Sequence, residues 1–321
     1  MNNGKSGSKS VVISLDAELI WGFHNSETIP GERVESARES WRYLLNCFER
    51  YSIPATWTIV GHLFLDKCNG THANHPAGPE WFARDPGGQS NTDSHWFGPD
   101  LVREVLESTV EHEIGSHSFS HIEFGHPETT VDQAAAELTY SRYAAKEYDI
   151  ELESFVFPRN NVGHRSVLSE HGFKCYRGVN PGRWYDETSI RKFGKFVTFA
   201  VGTSGPPIVS PEIDEYGLVN IPASLYLFTF EGTAGNIVKT IRGDPVVRQV
   251  KLGLEKLVQK EHGVLHLWLH PNNITSEADR TRMEAILSLV SEYRNNKDVT
   301  ISTMKQVAEQ VRNDREFNPS V

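Results

Sequence analysis

VVISLDAELIWG, residues 11–22, opens as a short apolar, β-branched run and ends on two carboxylates, Asp16 and Glu18, placed two residues apart. Such a run reads as a strand, and the acids stand at its C-terminal end. Working outward, 36–50 carries Trp41, Leu44, Leu45 and Phe48 at helical spacing, and IPATWTIV, residues 53–60, is a second apolar run. Strand, helix, strand is the repeating unit of a parallel sheet. Further strands are expected at 114–117, 153–157 and 264–269. Helices are expected at 99–111, 130–149, 163–171, 246–261, 277–294 and 303–314. The alternation gives an α/β protein with a largely parallel sheet.

Two segments break the rhythm. Residues 68–98 are dense in Gly, Pro, Asn and His, and a loop of that length is expected to be an inserted element, either a candidate lid or a surface insertion. Residues 195–231 alternate apolar and polar around Pro206, Pro207, Pro211 and Pro222, which suggests an irregular β excursion. The expected division is a disordered tail over 1–10, one domain over 11–314, and a C-terminal tail over 315–321.

The 321 residues and 38% hydrophobic content suffice for a full core. A net charge of −10, with no block of five like charges, argues against a nucleic-acid-binding surface. Cys47, Cys68 and Cys175 are odd in number and form no CxxC pair, so their spacing indicates neither a disulfide framework nor a thiolate zinc site. The polar start lacks a secretory signal, and no apolar stretch reaches the roughly 20 residues needed for a transmembrane segment. The expectation is a cytoplasmic protein.

GSHSFSH, residues 115–121, sets His117 and His121 four apart after a strand-like run. If a helical turn begins there, both imidazoles share a face and can grip one metal ion. His112-Glu113 is followed by Ile-Gly-Ser, so the HExxH pattern of a zincin is absent. Two imidazoles need a further ligand, and Asp16 and Glu18 share a strand face where α/β proteins place catalytic groups. In LHLWLHPNN, residues 265–273, His266 and His270 share a face and His270 stands at the strand end beside Pro271. Packing alone accounts for a histidine in an apolar strand, and the terminal position favours a functional role for His270.

SLDAE, HSFSH and LWLH, in that order, resemble the first, second and last motifs of the NodB-like polysaccharide deacetylases, carbohydrate esterase family 4. The resemblance implies a distorted (β/α) barrel, a single domain with the long inserted loop, and one divalent metal, zinc by preference. Carried over by position, Asp16 resembles the general base, Glu18 the carboxylate ligand, His117 and His121 the imidazole ligands, and His270 the general acid. The family usually has adjacent aspartates, whereas here Ala17 intervenes and the second acid is Glu, so the division of roles between the two acids stays open. FVFPRN, residues 155–160, matches the Arg-x-Pro motif loosely, with Val156 where the family has Arg and Arg159 where it usually has Tyr. Arg159 is therefore read as reaching the base or binding an anionic group of substrate. In YRGVNPGRW, residues 176–184, Trp184 is placed to stack on a sugar, and Asp186 is one partner considered for His270.

The implied function is a metal-dependent hydrolase removing an N-acetyl group from an amino sugar, the partner being an N-acetylated sugar or glycan precursor in surface-polysaccharide synthesis. A deformylase or other amidohydrolase acting on a non-polymer amide is the alternative. A catalytically inactive carbohydrate-binding or scaffold protein is the third, favoured by the imperfect Arg-x-Pro motif.

Overall fold

From Ser10 to Ala17 the first strand is buried on both faces, as a strand central to a parallel sheet must be. The computed structural model describes residues 8–90, 94–179, 205–229 and 243–317. Within them the strands are β1 (Lys9–Ala17), β2 (Thr56–Ile59), β3 (Lys67–Cys68), β4 (Gly88–Gln89), β5 (Glu113–Ser116), β6 (Ser154–Val156), β7 (Cys175–Arg177), β8 (Glu212–Ile213), β9 (Val219–Asn220), β10 (Leu225–Tyr226), β11 (Gly263–Leu269) and β12 (Thr300–Ile301). The helices are α1 (Gly31–Tyr51), α2 (Pro99–Leu106), α3 (Val131–Lys146), α4 (Arg165–Glu170), α5 (Pro245–Val258), α6 (Glu277–Asn296) and α7 (Met304–Phe317).

The main sheet runs β10-β11-β1-β2-β5-β6-β7-β9-β8, with β12 added to the start of β1. All its pairs are parallel except β8 with β9. Residues 219–227 draw its two sides together. Ile221 and Ala223 donate their N–H groups to Tyr176 and Gly178 beside β7, while Ser224 and Leu227 donate to His266 and Trp268 of β11. The sheet thereby curls into a distorted barrel.

The curl separates two cores. Val11, Ile13 and Leu15 of β1 face outward and pack in one cluster with Leu44 and Phe48 of α1, Leu254 of α5 and Ile286 of α6. Val12, facing the other way, belongs to a small interior cluster with Val156, Cys175, Val219 and Val264, joined by Met304 and Val307 of α7. The interior of the barrel is thus apolar toward α7, and Asp16 lies farther along the same inward face.

Several elements differ from the sequence expectation. Helix α1 starts at Gly31 rather than 36, because Pro30 already holds the N-cap position and the polar first turn carries no apolar period. The helix expected over 99–111 ends at Leu106. β7 is a three-residue strand that no periodicity marks. Of the expected 195–231 excursion, 195–204 and 230–231 lie outside the described residues, and the rest supplies β8 to β10. Among the described residues no helix is long and apolar enough to cross a membrane.

Gly115 on β5 allows a close approach of neighbouring strands: a Cβ there would lie 2.9 Å from the Ser154 carbonyl oxygen and 3.1 Å from Thr58 Cγ2. Gly115→Ala should therefore destabilise the protein by about 1–3 kcal/mol in denaturant titration. An unchanged midpoint would show that β5 and β6 are free to separate.

Candidate active site

The side chains singled out in the sequence come from successive strand ends on one rim of the barrel. Asp16 ends β1 and lies under Arg177 of β7. Arg177 Nη1 donates to Asp16 Oδ1 at 2.6 Å and Nη2 to Oδ2 at 2.7 Å, a two-point fork. Both groups are buried. Burial alone would raise the Asp16 pKa, but Arg177 outweighs it, with help from His117 and His270, and the carboxyl is held below its ordinary value.

Arg177 is itself fixed on three further sides. It donates to Asn160 Oδ1 at 2.9 Å and to Ser14 Oγ at 3.1 Å, and its guanidinium lies 4.3 Å from the Trp268 ring centroid. Ser14 Oγ lies 2.9 Å from His266 Nε2, and His266 Nδ1 lies 3.1 Å from the Ile221 carbonyl oxygen. A carbonyl only accepts, so Nδ1 carries the proton and Nε2 accepts from the Ser14 hydroxyl. Burial pushes His266 down to about 3, so it is a neutral interior histidine.

Glu18 points to the other two histidines. Its Oε2 lies 3.0 Å from His121 Nε2 and 3.5 Å from His117 Nε2, and Oε1 accepts from Asn272 Nδ2 at 3.3 Å. Suitable atoms of Glu18, His117 and His121 all lie within 4.8 Å of one another. His117 Nδ1 donates to the Val156 carbonyl at 2.8 Å, which leaves its Nε2 lone pair free for a metal ion. Burial pushes His121 below its ordinary pKa, favouring the neutral imidazole that a metal needs. For Glu18, burial is outweighed by His270, His117 and His121, and its carboxyl is held well below the usual range. A carboxylate and two imidazoles with converging donor atoms fit a catalytic zinc or a similar divalent ion.

The His117–His121 segment is not a helical turn. Ser118 and His121 take positive φ values of 61° and 66°, and the chain folds back as an irregular loop. Glu137 of α3, wholly buried, holds it: Oε2 accepts the N–H groups of Phe119 and Ser120 at 2.8 and 2.7 Å, and Oε1 accepts the Ser120 hydroxyl at 2.5 Å. From the inserted segment, His75 Nε2 lies 3.2 Å from Glu137 Oε1, and the Trp81 indole donates to Ser120 Oγ at 2.9 Å.

His270 is partly exposed beside both acids, its Nε2 being 3.7 Å from Asp16 Oδ2 and 3.8 Å from Glu18 Oε1. Its Nδ1 faces Asn273 Oδ1 at 3.3 Å and the Tyr226 hydroxyl at 3.4 Å. A cleft of about 250 Å³ is lined by Asp16, Glu18, His121, His270, Trp268 and Arg159 among others, with no described residue of the 68–98 segment on its wall. Arg159, at φ 53°, bonds Asn25 Oδ1 at 2.8 Å and lies 3.3 Å from Glu123, so it borders the cleft while Arg177 takes both oxygens of Asp16. Trp184 and Asp186 lie outside the described residues. Sequence reasoning missed Arg177, Glu137 and Asn272. The available signals were an arginine between Tyr176 and Gly178 and an Asn two positions after His270.

A family model described as polysaccharide deacetylase matches residues 4–175, more than half of the chain. No curated protein matches it. Among solved structures it is similar to a probable polysaccharide deacetylase from Pseudomonas aeruginosa PAO1, at 14% identity and TM-score 0.59, over 98% of this chain and 93% of that one. It is also similar to the PuuE allantoinase, at 14% identity and TM-score 0.58, over 100% of this chain and 94% of that one. Likeness at this identity shows the fold alone.

Gly22 leaves the space that Glu18 occupies, since a Cβ there would stand 2.1 Å from Glu18 Oε1. Gly22→Ala should displace this flexible side chain without unfolding the protein and weaken divalent-ion binding at the cluster about 10–100-fold in chelator competition. Unchanged affinity would remove Glu18 from the ligand set.

Proposed function

The chain belongs to the polysaccharide deacetylase family, and on that premise we propose that it is a metal-dependent hydrolase that removes the N-acetyl group from an amino sugar of a surface polysaccharide or its precursor. The observation that carries this reading is that Asp16, Glu18, His121 and His270 line one cleft, with Arg177 forked onto Asp16 and His117 within donor distance of Glu18 and His121. A carbohydrate-binding scaffold has no use for that combination.

Glu18, His117 and His121 would hold the ion, zinc by donor type. When bound, a divalent ion there supplies a Lewis acid that acidifies water and polarises the amide carbonyl. Asp16, kept ionised by Arg177, takes the proton from the attacking water. The fork occupies both oxygens of Asp16 and so fixes the plane of the carboxylate. His270 stands beside the acids on the cleft wall and passes a proton to the departing amine. Its Nδ1 proton is held by Asn273 Oδ1 and the Tyr226 oxygen, which aims Nε2 into the cleft. Arg159, on the cleft border, is positioned to meet an anionic group of the substrate. The same residues would serve, as a second reading, an amidohydrolase acting on a small amide rather than on a polymer.

Zinc-loaded protein should release acetate from N-acetylated sugars or nucleotide-sugars, lose the activity to chelator and regain it with zinc, and Asp16→Asn should lower kcat by about 10²–10⁴. Zinc-dependent cleavage of formyl or cyclic amides without acetate release would establish the second reading. No turnover of any amide by zinc-loaded protein would overturn both.

Arg177→Lys keeps the charge but loses the fork. Because Arg177 lowers the Asp16 pKa, weakening it should move the acidic limb of the kcat/KM profile to higher pH, so that the rate falls more on the acidic side than at neutral pH, with zinc affinity unchanged. A parallel drop at every pH would show that Arg177 does not tune the base.

A further inference from the structure

Three residues of the inserted segment, Cys68, His72 and Asp85, form with His62 a second group of potential ligands, none of them on the cleft lining, whose suitable atoms lie within 4.8 Å of one another. Asp85 Oδ2 is the common neighbour. It lies 2.8 Å from His72 Nε2, 3.2 Å from His62 Nε2 and 3.3 Å from Cys68 Sγ. In a tetrahedral zinc site with bonds of about 2.0–2.3 Å, neighbouring donors stand about 3.3–3.7 Å apart, so these contacts need only a slight expansion to admit the ion.

The site has the marks of a built one. His62 follows β2 in the turn Gly61–Phe64 and is wholly buried. Its Nδ1 donates to the Trp96 carbonyl at 3.2 Å, which fixes the tautomer and turns Nε2 inward, and that Nε2 makes no hydrogen bond. The free oxygen of Asp85, Oδ1, accepts the Gly87 N–H at 2.9 Å, leaving Oδ2 as the single donor atom. The β3–β4 pair sets Cys68 opposite Gly88. Gly70 and Gly87, at φ 72° and 65°, let the two chains touch there; a Cβ on Gly70 would lie 2.9 Å from the Asp85 carbonyl oxygen. One thiolate and one carboxylate balance the charge of a divalent ion, which removes the main cost of burying it.

We propose that His62, Cys68, His72 and Asp85 bind a structural zinc ion that fastens the inserted segment to the end of β2. All four positions are taken by protein, as in a closed structural site. Binding releases the Cys68 thiol proton to solvent and otherwise makes and breaks no covalent bond. The segment also carries His75 and Trp81 to Glu137 and Ser120, so the zinc stabilises the platform behind the His117–His121 loop. A single thiolate among nitrogen and oxygen donors leaves no CxxC trace, which is why cysteine spacing pointed away from a thiolate site.

The test uses the full chain with His121→Ala, which disables the candidate catalytic cluster and so separates this inference from the proposed function. Purified protein is stripped with chelator and titrated with Zn²⁺ or Co²⁺. The His121→Ala protein should retain one ion per chain, and its Co²⁺ form should show the near-ultraviolet charge-transfer band of a thiolate ligand. Adding Cys68→Ser should abolish the band, and Asp85→Asn should weaken binding at least tenfold. If Cys68→Ser fails to fold, zinc protection of the Cys68 thiol against alkylation in the His121→Ala protein replaces it, protection being expected. An ion-free His121→Ala protein, a missing thiolate band, or alkylation at the same rate with and without zinc would overturn the proposal and leave a buried polar cluster that holds no ion.

Discussion

Two carboxylates buried two residues apart at one strand end cannot both stay ionised unless each has its own counter-charge, and the Asp16–Arg177 fork is the answer for the first of them. By occupying both Asp16 oxygens, Arg177 leaves Glu18 to the imidazoles. The two acids, one near the end of β1 and the other just past it, thus acquire different environments, the condition for two carboxylates to play different parts. The fork depends in turn on barrel closure. Arg177 bonds Ser14, Ser14 bonds His266, and His266 bonds the carbonyl of Ile221, which lies in the segment that links β7 to β11. Removing the guanidinium would strand a buried carboxylate, at a cost of about 3–5 kcal/mol, so charge pairing here belongs to the fold as well as to the site.

The His117–His121 loop has a different support. With Ser118 and His121 in the left-handed region, the loop cannot satisfy its own N–H groups as a helix would, and Glu137 accepts two of them from beneath. A carboxylate suits this position better than a neutral acceptor, because it makes charge-assisted bonds and is in turn paired with His75. Residues 68–98, expected as a lid or an insertion, therefore bear on the loop from behind in their described part.

How much was legible in the sequence follows from how each residue declares itself. β1 and β11 are long apolar runs, and their terminal acids and histidine stand at boundaries that a period-2 pattern marks clearly. The His pair was visible from spacing, although the spacing suggested a helical turn and the backbone uses left-handed residues instead. Glu137 was hidden because an acid in an alanine-rich helix reads as solvent-facing until the loop packed over it is known. Arg177 sits on a strand of three residues, too short for any pattern to register. The ligands gathered around Asp85 come from a loop without periodicity, where proximity depends on turns that only the folded chain reveals.

The departure at the Arg-x-Pro motif has a simple geometric account. Val156 stands where the resemblance expects arginine, and its direct register partner on the next parallel strand is Arg177. Parallel partners at one register point to the same face of a sheet, with strands about 4.8 Å apart. Val156 belongs to the apolar interior cluster, and Arg177 is aimed toward the same interior. Moving the cation one strand over therefore keeps it on the inward face and within reach of Asp16, while Val156 fills the apolar interior beneath. Arg159 has no equivalent path: its positive φ and its partners Asn25 and Glu123 turn it to the outer border of the cleft. Arg177 thus supplies the guanidinium on the buried acid from one strand over, and a motif read along one strand cannot detect a pairing made across two.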